Sequence, residues 1–356
     1  MPRKREEGFA RQGISAYHGA ARFCVLDIVA VNGSTLKGRH IVTASGARPA
    51  SLSFPGAEDL TLSDAFMELE RLPERIVMVG GGYIAAEFAH IAARAGAKIT
   101  VHQRAARLLP HFDPDLVAWL MKKFKGIGVD VRLQNTVTAI ERSGNGYRVH
   151  TQTPDGEAVV DADLVVHAAG RVPDFDALDL AAAGVAVEHG RLRLNPYLQC
   201  ISNPIVYAAG DAAGQGPPLT PVSSHDAKVV AANILEGNHA QPDYRGVPSI
   251  AFTLPLIAAV RLSESAARAQ AQKLRVRSAF VPDWYTARRV AECIYGYKTI
   301  VDEDSGRILG AHVVGPHADE VINVFGLAIR HDLSAADLKA AIFAYPTGAS
   351  DISSML

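Results

Sequence analysis

Apolar residues between positions 74 and 170 come in short runs separated by stretches of helical spacing. The run Arg75-Ile-Val-Met-Val79 ends in a glycine cluster, after which apolar positions recur at helical spacing over 83–95 and stop at Gly96. A second run over 98–103 precedes another helical stretch over 115–125. Residues 129–133 and 137–142 open a meander that takes in 148–152, and Ala162-Asp-Leu-Val-Val-His-Ala168 closes the segment. This β-α-β-α-β order predicts a parallel sheet with right-handed crossovers.

The flanks read differently. The first 48 residues predict short strands: Phe23-Cys-Val-Leu-Asp-Ile-Val-Ala-Val31, ended by Asn32-Gly33, and His40-Ile-Val-Thr-Ala44. A connection with several prolines leads to a helix over 63–72, with Ser63 or Asp64 as its N-cap. After residue 171 come an extended stretch, the strand Ile205-Val-Tyr-Ala208 and a long helix over 222–236. From 247 onward, strands at 249–253, 289–294 and 308–314 alternate with helices at 264–273, 319–330 and 334–342, which predicts a separate α+β unit. No repeat of solenoid period is present.

Composition narrows the class. The 356 residues are 48% hydrophobic and 21% charged, which excludes disordered and collagen-like chains. A formal net charge of −1 gives no general attraction for nucleic acid or an anionic membrane surface. The longest apolar runs, such as 254–260, fall short of the ~20 residues a spanning helix needs. No apolar stretch follows the opening Met-Pro-Arg-Lys-Arg-Glu-Glu, so no secretory signal is read and a cytoplasmic location is expected. Cys24, Cys200 and Cys293 form no close pair, and the 13 histidines show no metal-ligand spacing, so no metal site is expected. The pair His225-Asp226 is expected to be solvated at a helix start, and His312 and His317 to face solvent beside a turn.

The glycine cluster carries the chemistry. Gly80-Gly-Gly82-Tyr-Ile-Ala85 fits G-x-G-x-x-G/A: Gly80 permits a tight turn, Gly82 lets a pyrophosphate approach the backbone, and Ala85 lets helix and strand pack closely. The following helix start offers unpaired N–H groups to phosphate. The strand before and the helix and strand after supply the context that separates a dinucleotide site from a bare turn. An NAD site wants a carboxylate at the end of the second strand, on the ribose 2′-hydroxyl. Here that end reads His102-Gln-Arg104-Ala-Ala-Arg107, with no acid and two arginines. Guanidinium forks pair with a 2′-phosphate, so NADPH is expected rather than NADH.

Further motifs stand in order around this core: Thr43-Ala-Ser-Gly-Ala-Arg-Pro49, Ala168-Ala-Gly170-Arg-Val-Pro-Asp174, Val206-Tyr-Ala-Ala-Gly-Asp211, Leu219-Thr-Pro-Val222, Phe252-Thr-x-Pro255 and Ile308-Leu-Gly-Ala-His-Val-Val-Gly315. Together they resemble the class I pyridine nucleotide-disulfide oxidoreductases, the family of glutathione reductase, dihydrolipoamide dehydrogenase and mercuric reductase. The resemblance implies an α/β fold: a Rossmann-like NAD(P)-binding domain (74–170) inserted in a partial FAD-binding domain (1–73 and 171–245), followed by an α+β dimerisation domain (246–356). It implies FAD and NADPH as cofactors, a homodimer, and a small-molecule electron acceptor. Asp211 and Thr220 would bind the flavin, and Gly170 belongs to the segment closing the NAD(P) domain. Tyr83 matches the tyrosine over the nicotinamide pocket, and Glu87, one turn later, matches a glutamate that pairs with a lysine near the flavin. Arg104 matches the arginine for the 2′-phosphate, with Arg107 as its helper.

Two departures qualify the resemblance. The family's flavin-binding βαβ unit and its Cys-x4-Cys redox pair are not found, and the lysine partner of Glu87 is missing. The strands at 23–31 and 205–208 are therefore expected to lack neighbours and to expose their apolar faces. The family's C-terminal His-Pro-Thr-x-x-Glu is here Tyr345-Pro-Thr-Gly-Ala-Ser350. A tyrosine, with a pKa near 10, is a poor proton shuttle at neutral pH. Three readings follow: an FAD- and NADPH-dependent oxidoreductase with an unidentified acceptor; a truncated or split chain that binds NADPH without turnover; or a flavoprotein reductase of a quinone, metal ion or other small acceptor.

Overall fold

The computed structural model describes residues 2–270 and 273–356. Its backbone falls into two compact units, one made of the chain up to Arg48 with Arg171–Tyr244, the other of Pro49–Gly170 with Arg245–Leu356.

The second unit contains the expected parallel sheet. Its order is Leu164–His167, Arg75–Val79, Lys98–Gln103, Asp130–Leu133, every neighbour parallel. Arg75–Val79 lies between a strand that follows it and one that returns from the chain's later meander. The switch point where such sheets bind ligands is therefore at its carboxyl end. The helix Tyr83–Arg94 buries Ala85, Ala86, Ala89 and Ala92, small residues that let it lie close against the sheet. The helix Pro114–Gly126 buries Leu116, Val117, Leu120 and Phe124 at helical spacing, and Asp113 caps it by accepting from the Asp115 N–H. A three-stranded antiparallel meander follows, Thr136–Ser143, Gly146–Thr153 and Gly156–Ala162. Residues 49–67 belong to this unit: Thr61 bridges to Val166, and the Phe66 ring stacks on Phe88. The helix expected to reach residue 72 spans only Ser63–Met67, and neither Ser63 nor Asp64 caps it: the N-cap position falls to Leu62, whose side chain has no acceptor.

The same unit carries a five-stranded antiparallel sheet, ordered Pro248–Ala251, Leu256–Arg261, Ile308–Gly315, Gly296–Asp302, Leu274–Phe280. The amphipathic helix Ala318–Arg330 packs on it through Val321, Ile322, Phe325 and Ile329. The strand expected at 289–294 is instead a helical turn, Tyr285–Arg288, and a loop. There the N–H groups of Arg289, Val290 and Glu292 bond back to the carbonyls of Tyr285 and Ala287, leaving nothing for a ladder. The strand begins at Gly296. The helix expected over 264–273 ends at Arg268, and residues 271 and 272 of that expectation lie outside the described residues.

In the first unit a helix, Pro2–Arg11, precedes the strands. The run 23–31 is two strands, Ala21–Val25 and Ile28–Val31, folded back at Leu26-Asp27 and continued through Asn32-Gly33 into Ser34–Lys37. A tight turn inside a continuous apolar run leaves no glycine or asparagine to betray it. Asn32 and Gly33 both have positive φ, the hairpin geometry their sequence announces. The expected lack of neighbours is corrected, the expected exposure only in part. Val206–Ala208 pairs in parallel with Ile41–Thr43 and is buried, as are Phe23 and Val31, while Cys24, Val25 and Leu26 are exposed. The segments 178–185 and 198–200 and the helix Thr220–Glu236 close over Val206–Ala208 and supply the cover that missing strands were expected to leave open.

Candidate functional site

Gly80 has φ +116°, in the region that favours glycine, and a Cβ there would lie 2.2 Å from the Ala168 carbonyl oxygen. The turn thus brings the ends of the first and last strands of the parallel sheet together. Gly82 is the N-cap of the helix Tyr83–Arg94 and supplies no side-chain cap, while a Cβ on Gly82 would meet nothing within 4 Å. Open space therefore stands over a helix N-terminus with unpaired N–H groups, which fits a pyrophosphate. Gly170, at φ +107°, also has nothing within 4 Å of a built Cβ. Ala85 is fully buried against the sheet.

The second strand ends at Gln103, and the loop beyond it is tied down. Gln103 Nε2 donates to the Arg107 carbonyl at 3.1 Å, and the Leu109 N–H donates to the Gly81 carbonyl at 2.7 Å. The Arg107 guanidinium donates to the carbonyls of Pro110 at 2.6 Å and Phe112 at 3.3 Å, so it braces the loop from within. Arg104 is exposed, and its side chain makes no hydrogen bond or ion pair with any of the described residues. Of the two arginines, Arg104 is the one whose guanidinium is available to a phosphate. His102, behind it, bonds Asn135 at 2.9 Å through Nδ1, and burial pushes its pKa down to about 4.

Tyr83 is half-buried and stands edge-on to Phe112, with centroids 5.5 Å apart. Burial raises its pKa, against a hydrogen bond with Ser249, so the phenol is neutral at physiological pH. Glu87 accepts from the Phe252 N–H at 2.9 Å. It is thereby tied to the edge of the antiparallel sheet.

The remaining expected residues fall elsewhere in their units. Asp211 sits in the turn Gly210–Ala212 with no partner for its carboxylate among the described residues, and Thr220 is exposed at the start of the helix Thr220–Glu236. The resemblance expects Asp211 at the ribityl and phosphate region of a flavin and Thr220 near its isoalloxazine ring. The sequence has only one G-x-G-x-x-G/A turn, so these residues alone do not cradle a whole FAD. The His225-Asp226 pair is corrected. Asp226 is fully buried, accepting from the Gly210 N–H at 2.9 Å and the Tyr244 hydroxyl at 2.8 Å, while His225 Nε2 accepts from the Asp243 N–H. Asp226 holds the turn that carries Asp211. His312 is also corrected: it is buried on its strand, with Nε2 against the Leu262 carbonyl at 3.0 Å. Tyr345 is 76% exposed and stacks on Tyr285, with centroids 6.2 Å apart. Ser350 and Thr347 cap one another, and Asp351 is taken by the Tyr295 hydroxyl at 2.8 Å, so neither stands beside Tyr345 as an orienting acid.

The structure adds residues that the sequence reading missed. Lys298 is buried on the strand Gly296–Asp302, with Nζ 3.0 Å from Asp113, 2.6 Å from Asp115 and 3.2 Å from Glu264. Burial alone would lower its pKa, but the three carboxylates outweigh that and raise it, so it is a fixed cation. The signal was present: one lysine interrupts the apolar strand Gly296-Tyr-Lys-Thr-Ile-Val.

Comparison with known proteins agrees with this geometry. Residues 3–227 match the model of pyridine nucleotide-disulphide oxidoreductases, and residues 247–356 match the dimerisation domain of the same family. A mercuric reductase of Lysinibacillus sphaericus is 30% identical over 339 residues, 94% of this chain and 61% of its own length. A glutathione reductase of Burkholderia cepacia is 31% identical over 95% of this chain and 74% of its own. A protein of 19.7 kDa from a mercuric resistance operon of Staphylococcus aureus is 48% identical over 170 residues, 48% of this chain and 94% of that protein. Among solved structures, the HOCl-induced flavoprotein disulfide reductase RclA from Escherichia coli superimposes with a TM-score of 0.90 at 26% identity, covering 99% of this chain and 81% of that one. The chain spans about three fifths of the length of the mercuric reductases it matches. It belongs to the pyridine nucleotide-disulfide oxidoreductases, a family of FAD-containing, NAD(P)H-dependent enzymes.

Proposed function

We propose that this chain forms the NADPH-binding and dimerisation portion of a flavin-dependent reductase that delivers electrons to a small acceptor other than a disulfide. The observation that carries the NADPH assignment is Arg104. Its unpartnered guanidinium follows the strand end where an NAD site carries an acid, and the loop that bears it is bonded to the glycine turn through Leu109 and Gly81. In this reading Gly80, Gly82 and the helix start hold the pyrophosphate, and Arg104 holds the 2′-phosphate. Tyr83 covers the nicotinamide end. Arg107 acts by shaping the loop. NADPH supplies the hydride when bound; the chain's own residues bind, orient and shield it.

The non-disulfide acceptor rests on the C-terminal segment. Tyr345, at the family's histidine position, is exposed beside Tyr285 and has no carboxylate to orient it. Such a surface suits a quinone, a metal ion or a similar acceptor that needs no protonated thiolate leaving group. A homodimer is proposed from the dimerisation domain.

The test is Arg104→Ala, with NADPH and NADH titrated separately by calorimetry. A charge-assisted contact of this kind is worth about 1.5–3 kcal/mol, so NADPH affinity should fall roughly 10- to 100-fold while NADH affinity stays within twofold. Equal losses for both, or none for NADPH, would refute the assignment.

A further inference from the structure

Residues 104–112, which carry Arg104, make one run between two fixed ends. The first end is Gln103, the last residue of a parallel strand. The other is Asp113, N-cap of the helix Pro114–Gly126. Between them Leu108, Leu109 and Phe112 are buried, Leu109 bonds the glycine turn, and Phe112 supports the Tyr83 ring. The loop is thus held at its start by Gln103, in its middle by Leu109 on the glycine turn, and at its end by Asp113.

Asp113 is held from outside the parallel sheet's own domain. Its side chain is 1% exposed, with Oδ1 accepting from the Asp115 N–H and Oδ2 lying 3.0 Å from Lys298 Nζ. Lys298, 4% exposed, comes from the middle of the antiparallel C-terminal sheet. Its other partners are Asp115, at the surface, and Glu264, which is itself clamped by Arg268 at 2.6 Å. His312 lies opposite Lys298 in the ladder. A surface ion pair would be screened and mobile, whereas Lys298 and Asp113 are both buried, so neither can leave the other without an uncompensated charge in the interior.

We infer that Lys298 is a positioning residue for dinucleotide selectivity: through Asp113 it fixes the loop that carries Arg104 and supports Tyr83. This rests on the reading of the glycine turn as an NADPH site. It adds that the C-terminal domain, besides dimerising, sets the geometry of the nucleotide loop.

The discriminating variant is Asp113→Asn. Asparagine caps a helix as well as aspartate does, so the helix start survives while the ion pair to Lys298 is lost. Lys298→Met is the companion variant, and Asp113→Asn keeps the question answerable if the companion does not fold. NADPH and NADH are titrated calorimetrically against wild type and variants, and thermal midpoints are recorded. The inference predicts that Asp113→Asn weakens NADPH binding about tenfold and NADH binding much less, so that the selectivity ratio contracts, as it does when Arg104 is removed. A lowered midpoint with an unchanged NADPH:NADH ratio would mean a structural role only and would overturn the inference. Failure of the wild type to bind either nucleotide would instead overturn the underlying reading of the site.

Discussion

At the scale of single residues the glycine turn makes two opposite demands on neighbouring positions. Gly80 is glycine because the fold requires it: its φ is positive and the Ala168 carbonyl leaves no room for a Cβ. Gly82 has ordinary room and an ordinary backbone angle, so the fold does not require glycine there; under the proposed function the ligand does. Substituting each by alanine should separate the two demands. Gly80→Ala is expected to destabilise the chain by about 3 kcal/mol or more, through clash and backbone strain. Gly82→Ala should leave the urea midpoint nearly unchanged and cut NADPH affinity severely, because its methyl occupies the phosphate space. A Gly82→Ala protein that binds NADPH like wild type would place the phosphates elsewhere. Arg104 and Arg107 divide in the same way, one free for a ligand and the other spent on loop carbonyls, a split that spacing alone could not reveal.

At the scale of elements, the sequence was most legible where local and tertiary signals agree. The strand Arg75–Val79, the helix Tyr83–Arg94 and the strand Lys98–Gln103 were all readable to within a residue, since apolar period, glycine punctuation and burial coincide there. It was least legible where an apolar run hides a turn, as at Leu26-Asp27, or where a short apolar run is a loop instead of a strand, as at 289–294. Of the candidate site, the glycines and Arg104 could be read from spacing, and Tyr83 only through the family resemblance. Asp113 and Lys298 could not be paired, because they stand 185 positions apart and only the packed sheet brings them together.

The buried histidines were also invisible to spacing, and they make a prediction about elements. His90 packs edge-on against Phe124, and burial pushes its pKa down to about 4, as for His102. Both rings are neutral in the fold, while in the unfolded chain they titrate near 6.5. Between those values the unfolded chain binds more protons, so their stabilising effect is complete above about pH 6.5 and is lost progressively toward pH 4. The loss is roughly 3 kcal/mol per ring. The urea midpoint should therefore fall steeply from pH 7 to pH 5, and His90→Leu should flatten part of that slope. A midpoint independent of pH over this range would show that the rings become charged without cost.

At the scale of the whole molecule, two sheets in one compact unit divide the proposed work. The parallel sheet presents the dinucleotide turn, and the antiparallel sheet braces it through Glu87 with Phe252 and through Lys298 with Asp113. The exposed Tyr285, Ile342 and Tyr345 lie in the part of the chain that matches the family's dimerisation domain. Selectivity for NADPH is the claim on which the rest depends, because the loop, its brace and its arginine are all argued from it. The most direct measurement is displacement of NADPH from the wild-type chain by 2′,5′-ADP and by 5′-AMP, followed by the fluorescence of the bound nicotinamide at fixed salt. The account predicts that 2′,5′-ADP displaces NADPH at a concentration at least tenfold lower than 5′-AMP. Equal displacement by the two would show that nothing in this site reads the 2′-phosphate, and would contradict the account at its centre.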